Sequence, residues 1–209
     1  MENKTEILSP DTFYHIYNRA NGNENIFTEL ENYRFFLNKY KQYISPVCNT
    51  YCYCLMPNHF HFLIEIKNKD ELIHFFLQQN PDLKLASFFT FERLGKLMSK
   101  QFSNFFSSYT QAYNKQQKRQ GSLFMKNFKR KKVIDKNYVY KLIHYIHYNP
   151  VEAGLCKKVD EWSFSSFNSI LSKNPTLLKR DEVINWFEDN DNFIFIHQQL
   201  PKELTIMFD

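Results

Sequence analysis

The chain has 209 residues, 43% of them hydrophobic and 18% aromatic, with a net charge of +5 and four cysteines. A chain of that length buries about 70% of its unfolded surface, the composition excludes global disorder, and no apolar run reaches the ~20 residues that span a bilayer. The stretch from Met1 to Asp11 is polar rather than basic and then apolar, which predicts no secretory signal and a cytoplasmic protein with reduced thiols. Charge is unevenly placed. Between Arg93 and Ile134 there are eleven Lys or Arg and no Asp or Glu, so the rest of the chain is net negative. A single-sign block focuses field on one surface and predicts a polyanionic partner.

In chain order, Thr12 to Arg19 is rich in aromatic and β-branched residues and ends at Asn21-Gly22-Asn23, which predicts a first strand. Leu30, Tyr33, Phe36, Leu37, Tyr40 and Ile44 recur at helical spacing. Thr28 with Glu31 three residues on has the capping-box pattern, so a helix is expected over 28–44. Thr50 to Met56 alternates Tyr51, Tyr53 and Leu55 against Cys52, Cys54 and Met56, a second strand. After Pro57-Asn58 a third strand runs from His59 to Lys67, and the short link makes the pair a hairpin. A short helix is expected at Glu71 to Leu77, a less regular segment at Asn80 to Phe91, and a long amphipathic helix from Arg93 to Lys118. Lys126 to Ile134 reads as a basic strand. Asp135 can cap a following helix that Pro150 should stop near Tyr148. Cys52 and Cys54, with Cys48, lack paired C-x₂-C spacing, and strand alternation reads them as small buried residues rather than zinc ligands. The order β-α-β-β-α-β-α predicts an α+β architecture with helices packed on an antiparallel sheet. Residues 1–158 are expected to form one domain with an insertion at about 71–92; residues 159–209 are expected to pack on it as a C-terminal extension.

The chemistry concentrates in two places. In a strand, His59 and His61 project from one face while Phe60 and Phe62 point the other way. Two imidazoles side by side on a rigid element are natural metal ligands. On the later helix Tyr138, Leu142, Tyr145 and Asn149 fall near one stripe, with Tyr145 and Asn149 one turn apart. A tyrosine hydroxyl beside a His-His metal site can attack a phosphodiester while the cation withdraws charge, and Asn149 can complete the site as a third ligand. Tyr140 and Tyr148 point to other sides of the helix; His144 and His147 are expected to be exposed or to face nucleic acid. Lys126, Lys129, Arg130, Lys131 and Lys132, with Arg19, are candidate phosphate contacts that position a strand without reading its bases.

Five blocks occur in order between about Phe13 and Phe167: FYHIYNRANGN, YCYCLMPNHFHFLIE, GSLFMKNFKRKKV, YIHYNPVEAGL and WSFSSF. They resemble the single-tyrosine HUH transposases of the insertion-sequence type, particularly the REP-associated branch, with His59-Phe60-His61 as the His-hydrophobe-His signature. The resemblance implies a ferredoxin-like sheet with that strand central and a nucleophile on a helix lying across it. It implies DNA transposition: cleavage of single-stranded DNA near an imperfect hairpin, a transient 5′-phosphotyrosine link, and rejoining by the released 3′-hydroxyl. On this basis Tyr145 matches the nucleophile, His59 and His61 the metal ligands, and Asn149 the third ligand. The implied cofactor is a divalent metal, Mg²⁺ or Mn²⁺, of which ligand softness favours Mn²⁺. Related proteins act as a monomer or a homodimer. Two other readings stay open: an inactive DNA- or RNA-binding regulator on the same fold, and a metal-dependent phosphoesterase using activated water.

Overall fold

The computed structural model describes residues 6–81 and 89–201, apart from the side chains of residues 136 and 137. Four strands, β1 (Phe13–Arg19), β2 (Cys48–Met56), β3 (His59–Ile66) and β4 (Lys129–Val133), pair antiparallel in the order β2-β3-β1-β4. Helix α1 (Leu30–Tyr43) joins β1 to β2, while α2 (Lys69–Gln79) and α3 (Phe91–Gln116) lie between β3 and β4. This is the ferredoxin-like β-α-β-β-α-β connection with β3 inside the sheet. Among the described residues no helix is long and apolar enough to cross a membrane.

Strand alternation builds two cores. Tyr14, Ile16, Phe60, Phe62 and Ile64 face α1 and α3, where they meet Phe36, Tyr40, Phe102, Phe105 and Tyr109. Cys52, Cys54, Met56 and Leu63 face the other way, onto Leu142, Ile143 and Ile146 of α4 (Lys136–Glu152). Three short helices complete that second core: α5 (Phe167–Leu171), α6 (Arg180–Trp186) and α7 (Asn190–His197), through Phe167, Val183 and Phe193. The sheet is therefore covered on both sides, and a polar group on β3 must find a partner there. The WSFSSF segment shields the outer edge of β2: the Leu55 amide donates to Phe164 O at 2.9 Å, and the Trp162 indole to Leu55 O at 3.0 Å.

Four local expectations need correction. The strand β2 starts at Cys48, and a bulge between Thr50 and Cys52 breaks its alternation. Tyr51 consequently joins Cys52 on the α4 side, its hydroxyl 2.9 Å from Glu65 Oε2. The α1 capping box is built from Glu29 and Asn32 rather than from Thr28 and Glu31. Asn32 Oδ1 accepts from the amides of Thr28 and Glu29 and from the Thr28 hydroxyl. Pro150 does not stop α4. The helix runs to Glu152 and closes at Gly154 (φ +68°), with Leu155 N donating to Pro150 O and Gly154 N to Val151 O. That paired closure needs a left-handed residue, which glycine supplies without steric cost. The expected irregular stretch from Asn80 to Phe91 falls partly on residues 82–88, outside the described residues.

The fourth correction concerns His144 and His147, which are buried behind α4 rather than exposed. His147 Nδ1 lies 2.9 Å from His197 Nε2, and its Nε2 lies 2.7 Å from Ser166 Oγ. Because His197 Nδ1 must donate to Phe193 O, a neutral His197 leaves Nε2 to accept from His147 Nδ1, and neutral rings satisfy every bond of the chain. Burial lowers the pKa of His197 to about 3 and holds that of His147 well below its ordinary value. Both rings are charged below about pH 6.5 when unfolded, so the stability they favour is complete above that pH and lost as pH falls toward 3. His197 should cost about 1.5 kcal/mol between pH 6.5 and 5, before most carboxylates titrate, and His147 adds a loss of the same sign. Urea titrations at those two pH values should show the loss; equal midpoints would contradict the buried neutral network.

Helix α3 carries Gly95 on its buried face for a reason of space. A Cβ there would press into the Ile7 side chain and stand 2.9 Å from the Leu8 carbonyl oxygen. Gly95→Ala gains about 1 kcal/mol of helix propensity, but the backbone clash costs about 1–3 kcal/mol. A net destabilisation of up to about 2 kcal/mol is expected in denaturant melts, and a stabilised variant would show that the N-terminal segment does not press on α3.

Candidate active site

The β2–β3 turn, Pro57-Asn58, delivers His59 and His61 onto the sheet face that α4 crosses. Register places Tyr17 opposite His61 and Arg19 opposite His59 on β1, with Lys129 opposite Tyr17 on β4. Side chains directly opposite in antiparallel strands share a face, so one cross-strand row reads Lys129, Tyr17, His61, Cys54. The two β3 histidine rings stand 5.1 Å apart and perpendicular.

Tyr145 descends from α4 onto this row. Its ring meets His61 edge-on at 5.8 Å and His15 at 6.4 Å. One turn on, Asn149 donates from Nδ2 to Tyr145 O at 2.8 Å, and its side chain also hydrogen-bonds His59. The passage of α4 through Pro150 is what keeps Asn149 on the Tyr145 side. Together Tyr145, His59, His61 and Asn149 line a cavity of about 630 Å³ whose rim carries Arg19, Lys126 and Lys129.

Not every predicted basic residue reaches it. Lys131 sits opposite His15 and shares that face without lining the cavity. Arg130 and Lys132 pair with Ile16 and Tyr14, on the face covered by α1 and α3. Alternation along β4 sends neighbouring residues to opposite sides of the sheet, so the basic run divides. Of the tyrosines set aside, Tyr140 packs toward Phe187 and Tyr148 toward His144.

His15 is the residue that reading the sequence missed. It is fully buried, and its Nε2 lies 2.9 Å from His61 Nδ1. Its place on β1, two residues before Tyr17 and four before Arg19, was the available signal, because i, i+2 and i+4 share a face. Tyr17 was also missed: it stacks on His15 at 4.7 Å and on His61 at 5.7 Å.

The imidazoles here are neutral. Burial lowers the His15 pKa to about 3, with Lys131 adding to the effect. Burial chiefly, then His15 and His59, holds His61 well below its ordinary value. His59 is lowered by burial and by Arg19 against the opposing hydrogen bond to Asn149. Neutral imidazole is the form that binds a metal. His59 Nδ1 donates to Asn58 Oδ1 at 2.7 Å, and His61 Nδ1 is engaged by His15. With Nδ1 donating to His15, His61 keeps Nε2 for an ion, and an ion would take the place of the hydrogen bond that now joins the His59 and Asn149 side chains. Such second contacts fix tautomer and orientation in metal-binding histidines. The donor set of two imidazole nitrogens and one amide oxygen fits a divalent cation that accepts mixed nitrogen and oxygen ligands.

A His-hydrophobe-His strand beneath a helix-borne tyrosine is the arrangement that the HUH resemblance implies. The chain is similar to REP-associated tyrosine transposases, in sequence and in fold. A protein of Haemophilus influenzae assigned as a REP-associated tyrosine transposase is 24% identical over 139 residues, covering 64% of this chain and 69% of that one. The solved structure of a REP-associated tyrosine transposase bound to a REP hairpin matches with a TM-score of 0.54. The match is 16% identical and covers 84% of this chain and 88% of that one. No protein-family model matches the chain.

Proposed function

We propose that this protein is a metal-dependent transposase that nicks and rejoins single-stranded, hairpin-bearing DNA through a covalent link to Tyr145. The observation that carries the reading is the edge-on approach of Tyr145 to His61, 5.8 Å between ring centres, in a cavity shared with His59 and Asn149. The similarity to REP-associated tyrosine transposases supports it.

In this reading His59, His61 and Asn149 hold a divalent cation, which when bound withdraws charge from the phosphate. His15 Nε2 accepts a hydrogen bond from His61 Nδ1 and so turns the His61 Nε2 lone pair outward. Arg19, Lys126 and Lys129 hold the flanking phosphates at the rim, as charged donors do without reading sequence. Tyr145 Oη then forms a bond to phosphorus as the P–O3′ bond breaks, leaving a 3′-hydroxyl and a 5′-phosphotyrosine. Attack by a 3′-hydroxyl on that linkage reseals the strand and frees the phenol. No nucleotide hydrolysis is required, because one phosphodiester is exchanged for another.

The test is direct. The protein is mixed with hairpin-bearing single-stranded oligonucleotides of varied flank sequence in Mn²⁺ and run on a denaturing gel. A protein–DNA adduct that resists denaturation is expected. Cleavage without an adduct would favour hydrolysis by activated water, and retardation confined to native gels would favour a regulator that binds without cutting.

A further inference from the structure

A second groove, of about 660 Å³, runs beside the cavity between α3 and the chain from Ser122 to Arg130. The two spaces meet at Asn18, Met125, Lys126 and Asn127, which line both. The α3 wall presents Ser99, Ser103 and Ser107, one hydroxyl per helical turn. Opposite stand Lys126 and Arg130, and no carboxylate is among the described lining residues. The Arg130 guanidinium lies 4.1 Å from the Phe128 ring centre and donates from Nη1 to Ser99 Oγ at 2.9 Å. Its Nε is buried with no hydrogen-bond partner among the described residues. Glu6, which acts on Arg130 electrostatically, sits outside the groove at the Lys132 amide. Between the two spaces Asn127 adopts a left-handed backbone (φ +62°), a region that asparagine enters more readily than most side-chain-bearing residues.

Hydroxyl donors, two cations, an aromatic surface and no acid suit a phosphodiester backbone with unpaired bases; an apolar peptide would leave those donors unsatisfied. We infer that this groove holds the single-stranded DNA that flanks the phosphodiester at Tyr145, with its phosphates on Ser103, Ser107, Lys126 and Arg130. The inference rests on the transposase reading, and it gives Arg130 a role on the face away from the histidines. The strand passes from one space to the other over the segment Met125 to Asn127.

Ser103→Glu with Ser107→Glu tests it. Both serines are exposed on a helix surface, and glutamate is the better helix former, so the fold should survive. Lys41→Glu, exposed on α1, imposes the same change in net charge away from the groove. Fluorescence anisotropy with labelled dT16 should show the double variant binding at least about tenfold more weakly than wild type, and Lys41→Glu within about twofold. Equal weakening by both, or none by the double variant, overturns the groove. If wild type forms the covalent adduct while the double variant binds dT16 normally, the groove is wrong and the transposase reading stands. If the double variant loses dT16 binding but wild type forms no adduct on any hairpin, the groove stands and the strand-transfer reading falls.

Discussion

Tyr145→Phe should lower strand cleavage at least about a thousandfold and eliminate the denaturation-resistant adduct, while changing DNA affinity by less than about twofold. The substitution removes one oxygen and keeps the ring that packs edge-on against His61 and His15, so binding and folding should be spared. A loss confined to the rate constant marks an interaction made in the transition state, and a thousandfold corresponds to about 4 kcal/mol. The informative control is Tyr17→Phe, because Tyr17 lines the same cavity. Tyr17 lies flat on the histidines, with interplanar angles of 20° and 27°, whereas Tyr145 meets His61 at 83°. Burial also pushes the Tyr17 hydroxyl pKa upward, which works against its use as a nucleophile. Tyr17→Phe should leave adduct formation within about tenfold of wild type. Equal loss in both variants would contradict the assignment.

The second large effect concerns the ion. His61→Ala should remove measurable Mn²⁺ binding, read by titration calorimetry or by the electron paramagnetic resonance of free Mn²⁺, with no DNA present. His15→Phe should weaken it about 10- to 100-fold, the usual consequence of losing the group that orients a metal-binding histidine. Phenylalanine fills the space of the imidazole and retains contact with Tyr17, but it cannot accept a hydrogen bond from His61 Nδ1. The ring of His61 would then be free to present either nitrogen. Wild-type Mn²⁺ affinity in His15→Phe would show that His15 is only a core residue.

Much of this arrangement was legible in the chain. Alternation placed His59 and His61 on one face, because a strand of period two leaves no other choice. Helical spacing put Asn149 one turn from Tyr145, and the short Pro57-Asn58 link set the hairpin. What stayed hidden depends on registers between distant segments. His15 lies 46 residues from His61, and nothing local says that β1 pairs with β3 so as to bring them together. The division of Lys129 and Lys131 from Arg130 and Lys132 follows from the same alternation, which splits a basic strand between two faces. The bulge beside Tyr51 and the passage of α4 through Pro150 are tertiary outcomes. In each, packing on the second core outweighs a local preference. The burial of His144 and His147 follows from α7 docking behind α4, a contact that no periodicity within α4 announces.

The most direct measurement is to digest the covalent adduct with protease and nuclease and locate the nucleotide-bearing residue by mass spectrometry. The account predicts a single modified peptide spanning α4, with the nucleotide phosphate on Tyr145. A phosphotyrosine at Tyr17, Tyr140 or Tyr148, or cleaved DNA with no modified peptide, would contradict it.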